Sequence, residues 1–165
     1  MRLSWLTLAV ALLVVTALPV AAQKKYTGPR PAKSDVPFLQ HGKKLIEVES
    51  GEAHESPGKG ETEYSIAGAT SPTKTPVPEP VFLFQSDKIN PDRLSLFRME
   101  VKGGQRTITI ATDSRKRKDK ARPIFMLVTP IENRLFKVEV NEPLENGEYC
   151  LSPEGSNTVF CFNEF

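Results

Sequence analysis

Residues 143–165 read PLENGEYCLSPEGSNTVFCFNEF, and the reading of this stretch decides the fold. Glu148, Cys150 and Ser152 alternate with Tyr149 and Leu151, while Val159, Cys161 and Asn163 alternate with Phe160 and Phe162. Successive side chains of a strand point to opposite faces. With Cys150 opposite Cys161, the loop Glu154-Gly155-Ser156-Asn157 has a length common in hairpins. Tyr149, Leu151, Phe160 and Phe162 then share an apolar face, which is the expected core face. The two cysteines share the other, more polar one. Directly opposed residues lie about 4.5–5.5 Å apart, within disulfide reach. The expectation is a closing hairpin stapled by a Cys150–Cys161 bond.

The entry to this hairpin, Leu144, Gly147 and Tyr149, resembles the Leu-x-x-Gly-x-Tyr corner of immunoglobulin-like and fibronectin-like sandwiches. The resemblance implies a tyrosine hydroxyl bonded back to upstream backbone. In antibody domains the tyrosine stands two residues before the cysteine, whereas here Cys150 follows Tyr149 directly. An inter-sheet disulfide of the immunoglobulin kind is therefore not expected. The ending is also similar to that of uncharacterised bacterial exported β-rich proteins, a likeness that implies no activity.

Working outward, the N-terminus reads as a targeting segment over residues 1–22. Arg2 supplies a positive start, Trp5–Leu18 is an uncharged and mostly apolar run, and Val20-Ala21-Ala22 offers a small-residue cleavage site. A membrane-spanning helix needs about 20 apolar residues, and Pro19 interrupts this run too early. No cysteine stands near the site for a lipoprotein anchor. The expected location is secreted or periplasmic, with no transmembrane anchor after processing. Two cysteines in an oxidising compartment are most simply one bridge.

Residues 23–37 are polar, basic and proline-containing, the composition of a flexible segment. Residues 38–165 read as one β-sandwich domain. Its first strand is expected at Lys44–Glu49. Glu47, Glu49, Glu52, Glu55, Glu61 and Glu63 then follow within one stretch, with His54 among them. Carboxylates and imidazole are metal ligands, but no EF-hand spacing or His-Glu-x-x-His helix is present, so a solvated acidic loop is expected rather than a metal site. Thr70–Pro80 carries four prolines in eleven residues. Proline cannot donate to a ladder, so 70–80 reads as a stiff crossover between sheets, outside both.

Val81–Phe84 and Ile124–Val128 are continuous apolar runs, as in strands buried on both faces. Leu94–Lys102 and Gln105–Thr112 flank Gly103-Gly104, a two-residue turn able to adopt positive φ. That register sets Met99 opposite Ile108, Phe97 opposite Ile110, Glu100 opposite Thr107 and Arg98 opposite Thr109. Leu135–Val140 alternates after a turn at Glu132-Asn133-Arg134. About nine short strands with no convincing helix favour an all-β, antiparallel sandwich of immunoglobulin-like, Greek-key type.

One segment stands apart in charge. Arg115, Lys116, Arg117, Lys118, Lys120 and Arg122 surround the single acid Asp119, in a chain with 22 bases and 20 acids overall. Such a concentration attracts anions at long range. Nucleic acid is a poor fit, because no aromatic residues interleave with the bases to stack on nucleobases. An anionic glycan, a lipid head group or an acidic protein surface fits an exported protein better. The competing reading is a solvated, self-repelling loop. A third is neutralisation by the Glu47–Glu63 acids of the same or a neighbouring molecule, which favours self-association.

The chain holds no Gly-x-Ser-x-Gly elbow, no phosphate loop and no free thiol once the bridge forms. His41 and His54 have no base–nucleophile partnership in sequence. No cofactor is expected. The sequence thus reads as a non-catalytic binding or interaction module with the 115–122 bases as its contact. The alternatives are an envelope glycoside hydrolase using Glu47, Glu49 or Glu52, or a purely structural envelope subunit.

Overall fold

The structure, a computed structural model, describes residues 25–113 and 121–165. The expected targeting segment at 1–22 and five of the six clustered bases (Arg115, Lys116, Arg117, Lys118 and Lys120) lie outside the described residues. The described chain is all-β, with antiparallel sheets. Its strands are β1 (Pro37–His41), β2 (Lys44–Glu47), β3 (Glu49–Glu52), β4 (His54–Gly58), β5 (Glu61–Ala67), β6 (Lys74–Thr75) and β7 (Val81–Gln85). After a short 3-10 turn at Pro91–Arg93 come β8 (Leu94–Lys102), β9 (Gln105–Ala111), β10 (Met126–Glu132), β11 (Leu135–Val140), β12 (Gly147–Pro153) and β13 (Thr158–Glu164).

Five strands form one sheet in the order β10-β11-β7-β1-β2, and the rest form a larger one in the order β3-β13-β12-β8-β9-β5-β4. The sheets face each other across a shared core. Leu39, Phe82, Phe84, Val138 and Val140 come from the smaller sheet, and Leu96, Tyr149, Leu151, Phe160 and Phe162 from the larger. Phe162 sits at the middle of this layer, 5.3 Å from the Phe82 ring and stacked on Tyr149 at 5.6 Å. The closing hairpin has the register its alternation predicts: Tyr149 opposite Phe162, Cys150 opposite Cys161, Leu151 opposite Phe160. Cys150 and Cys161 are disulfide-bonded, with Cα atoms 4.1 Å apart. The Tyr149 hydroxyl donates to the Glu145 carbonyl at 2.7 Å, which fixes the corner into β12.

Five expectations need correction. Most of the stretch expected to be an acidic loop is instead β3 and β4, and the described residues hold thirteen strands rather than about nine. β4 is exposed along its whole length because it is an edge strand, where Pro57 costs no ladder bond. The second correction concerns the Gly103-Gly104 turn, whose glycines have φ of +57° and +77°. It does start the β8–β9 hairpin, but pairing stops at Glu100–Thr107. Beyond that point the Leu96 carbonyl accepts from Ile124 N–H at 2.8 Å, so β9 has no place on the edge of β8 and splays away. Thirdly, Ile124–Val128 is no central strand: β10 lies at the sheet edge, leaving Phe125 and Leu127 61% and 47% exposed.

The fourth correction is the face of the cysteines, which is not polar but buried. β3 and β4 are consecutive parts of one chain segment joined at Ala53. Its first half pairs with β13 at one edge of the larger sheet, its second half with β5 near the other. The two edges therefore meet, and the sheet rolls into a small barrel. Ala53, Ile66, Met99, Ile108, Cys150, Val159 and Cys161 fill its interior. Between the sheets, the Pro-rich segment is not wholly outside them, since Lys74–Thr75 pairs in parallel with Asn163–Glu164.

Residues 25–36 reach both edge strands of the smaller sheet. Arg30 pairs with Glu132 and Lys33 with Glu47, at opposite ends of the sheet. Asp35 accepts the N–H groups of Asp87, Lys88 and Ile89 at 2.9–3.0 Å.

Truncating Phe162→Ala should cost about 3–5 kcal/mol in urea unfolding, because a ring packed on both sides is lost from a rigid layer. Phe125→Ser, at the exposed edge, should change stability by less than about 0.5 kcal/mol.

Candidate functional site

The barrel interior is built in layers because its strands place alternate residues inward. At one end, β9 turns Arg106 into the barrel, where the side chain is 1% exposed. Its guanidinium forms a fork on Glu49 of β3, at 2.6 and 2.9 Å, and also donates to the carbonyls of Ala67 and Gly68 at 2.9 and 3.0 Å. Glu148 of β12 lies 4.0 Å away. That carboxylate accepts from the Thr70 hydroxyl, the Ser71 N–H and the Asn163 amide, at 2.7–2.9 Å. A buried charge is tolerated only when paired and hydrogen-bonded, and here both conditions hold. Burial raises the Glu49 carboxyl, but hydrogen bonds from Arg106 and Ser71 and the Arg106 charge outweigh it and hold Glu49 below its ordinary 4.5. This polar plug seals the barrel at that end.

The middle layer is apolar: Met99, Ile108, Ile66 and the Cys150–Cys161 bridge, with Gly51 facing Ile66 at 3.6 Å from where a Cβ would stand. At the other end the barrel opens. There β8 and β9 have parted, leaving a concavity of about 450 Å³ between them and the β12–β13 loop. Tyr64, Phe97 and Ile110 line it and are only partly buried. Its rim carries Glu55, Ser95, Ser152, Glu154, Ser156 and Asn157. The lip formed by the β12–β13 loop is held in place: Ala53 N–H donates to Asn157 O at 2.8 Å, Glu154 N–H to Arg93 O at 3.0 Å, and Arg93 pairs with Glu154 at 2.5 Å. Burial, and then the neighbouring Glu55 charge, push the Tyr64 phenol above its ordinary 10.0. It remains a protonated donor at neutral pH.

Of the residues singled out in sequence, the bridge and Glu55 of the acidic stretch border the concavity, and the others fall elsewhere. Cys150 forms part of the concavity floor. Arg122 is exposed outside the concavity. Glu47 pairs with Lys33 at the surface, Glu49 is committed to Arg106, and Glu52 is exposed on β3. A proton-donating glycosidase acid needs a raised carboxyl, whereas Glu49 is held low. His41 and His54 stand on separate strands, β1 and β4, in different sheets. Among the described residues no three His, Cys, Asp or Glu side chains converge as a metal site would require.

The concavity was missed in sequence because its residues come from six strands and one loop. One signal did exist: Phe97, Met99, Ile108 and Ile110 share a face of the Gly-Gly hairpin, and so do Tyr64 and Ile66 on β5. No family model, no curated protein and no solved structure matches the chain.

Replacing Arg106→Met leaves Glu49 and Glu148 without their cation and should destabilise the fold by about 3–5 kcal/mol. Glu49→Gln carries a pH signature. Because Glu49 is held low in the folded chain, its contribution is present above about pH 4.5 and is lost as pH falls through the lowered value. The stability gap between the native chain and the Gln variant, read from urea midpoints, should therefore shrink below about pH 4.5.

Proposed function

We propose that the chain is an exported, non-catalytic binding module, an immunoglobulin-like Greek-key sandwich in kind, that holds a small ligand in the mouth of its rolled sheet. The observation that carries this reading is the 450 Å³ concavity: apolar in depth, rimmed by hydroxyls and closed below by the Arg106 plug. Ligand sites are concavities of about 300–1,000 Å³ with apolar walls and a few polar groups, and barrel mouths are a usual place for them. The Tyr149–Glu145 bond supports the immunoglobulin-like corner.

Secretion or a periplasmic location is supported by the disulfide and by the pattern of Arg2, Trp5–Leu18 and Val20-Ala21-Ala22. Among the described residues no helix is long and apolar enough to cross a membrane. A second reading rests on the bases of the 115–122 stretch, as a contact for an anionic glycan, lipid head group or acidic protein surface, a second copy of this chain included.

Titrating 2-phenylethanol into the exported protein should shift the amide and side-chain NMR signals of Tyr64, Phe97 and Ile110. Ser95→Trp, which fills the mouth, should abolish the shifts; shifts that persist in that variant would sink the reading. Protein recovered after export should begin at Gln23 and show no maleimide-reactive thiol when unfolded. For the second reading, retention on a heparin column should fall with salt and vanish when the six bases become glutamine.

A further inference from the structure

The mouth has a sign of charge as well as a shape. Among the described residues that line it, none is a lysine, arginine or histidine. Two are carboxylates, and they differ. Glu154 is already neutralised by Arg93 at 2.5 Å. Glu55 stands on edge strand β4, directly opposite Tyr64 on β5, on the face that looks into the concavity. Its negative charge is felt there, since it contributes to the raised Tyr64 phenol. Tyr64 and Phe97, the two aromatic residues of the lining, come from different strands. The faces of such rings carry negative potential and attract cations, most strongly where water is partly excluded. The remaining rim side chains, Ser95, Ser152, Ser156 and Asn157, bear oxygens able to accept hydrogen bonds from an ammonium. A carboxylate or phosphate placed here meets Glu55 and, among the described lining residues, no lysine, arginine or histidine.

We infer that the barrel mouth selects a small organic cation: an apolar body seated on Phe97, Ile110 and Met99, with an ammonium group turned towards Glu55 and Tyr64. This rests on the reading of the mouth as a ligand site and adds the ligand's chemical class. Free amines and the lysine side chain of a polypeptide share this chemistry, so the probes separate the two.

The test compares 2-phenylethylammonium, 2-phenylethanol and 3-phenylpropionate, binding to the full exported chain by calorimetry at pH 7 and low salt. The ammonium should bind about ten-fold more tightly than the alcohol, and the propionate more weakly than either. Glu55→Gln removes the charge from an exposed strand position without touching the core. It should reduce ammonium affinity about ten-fold and alter alcohol binding less than two-fold. Phe97→Leu should weaken the ammonium more than the alcohol. Nα-acetyl-lysine amide binding as tightly as the phenylethylammonium assigns the source to a polypeptide; weaker binding assigns it to a free aryl amine. Alcohol binding that equals ammonium binding, or an unaltered Glu55→Gln variant, overturns the cation assignment and leaves the binding site standing. Failure of all three probes overturns both.

Discussion

At Ala53 the chain changes partners. Glu49–Glu52 hydrogen-bonds to β13 and His54–Gly58 to β5, so one continuous segment belongs to both edges of the same sheet. Backbone groups removed from water must be paired, and an edge that pairs with its own far side satisfies them without a second molecule. Rolling the sheet creates an interior that a flat sheet lacks. That interior buries the disulfide, Met99, Ile108 and Ile66. The same sheet keeps its outer wall for the core shared with the five-stranded sheet, so β12 and β13 are buried on both faces.

The roll also explains the one fully buried arginine among the described residues. Where β3, β9 and the end of β5 converge, their inward residues fill the bottom of the barrel. Arg106 there satisfies two carbonyls left at the end of β5 and meets a carboxylate from the opposite edge. Such a pair is weak evidence for net stability, because desolvation offsets much of its attraction. What it does supply is a link across the barrel, from β9 to β3, two strands that share no ladder. The charge arrangement thus ties these strands together, and the apolar layer above it supplies the driving force.

The mouth follows from the same geometry. β8 cannot pair with β9 along its whole length, since Ile124 takes the backbone position beside Leu96. The strands part, and residues that a continuous hairpin would bury against each other instead line an opening. A lip anchored by Ala53, Arg93 and Glu154 holds that opening in a fixed shape, which lowers the ordering cost of any ligand that enters.

Alternation by itself determined much of this protein. The hairpins at Gly103-Gly104 and Glu154–Asn157, the Tyr149 corner, the Cys150–Cys161 pairing and the all-β character all follow from side chains a few residues apart, where period-two patterning and turn chemistry act locally. The second buried face was not legible. A strand whose inward residues are Glu49, Gly51, Ala53 and Glu55 reads as polar, and it lies inside only because its first half pairs with β13, over a hundred residues away. Arg106 looked like any hairpin arginine for the same reason: its partners, Glu49 and the Ala67–Gly68 carbonyls, are roughly 40–57 positions distant. Local pattern sets which elements form; closure of the sheet, a long-range event, decides which of their faces meet water.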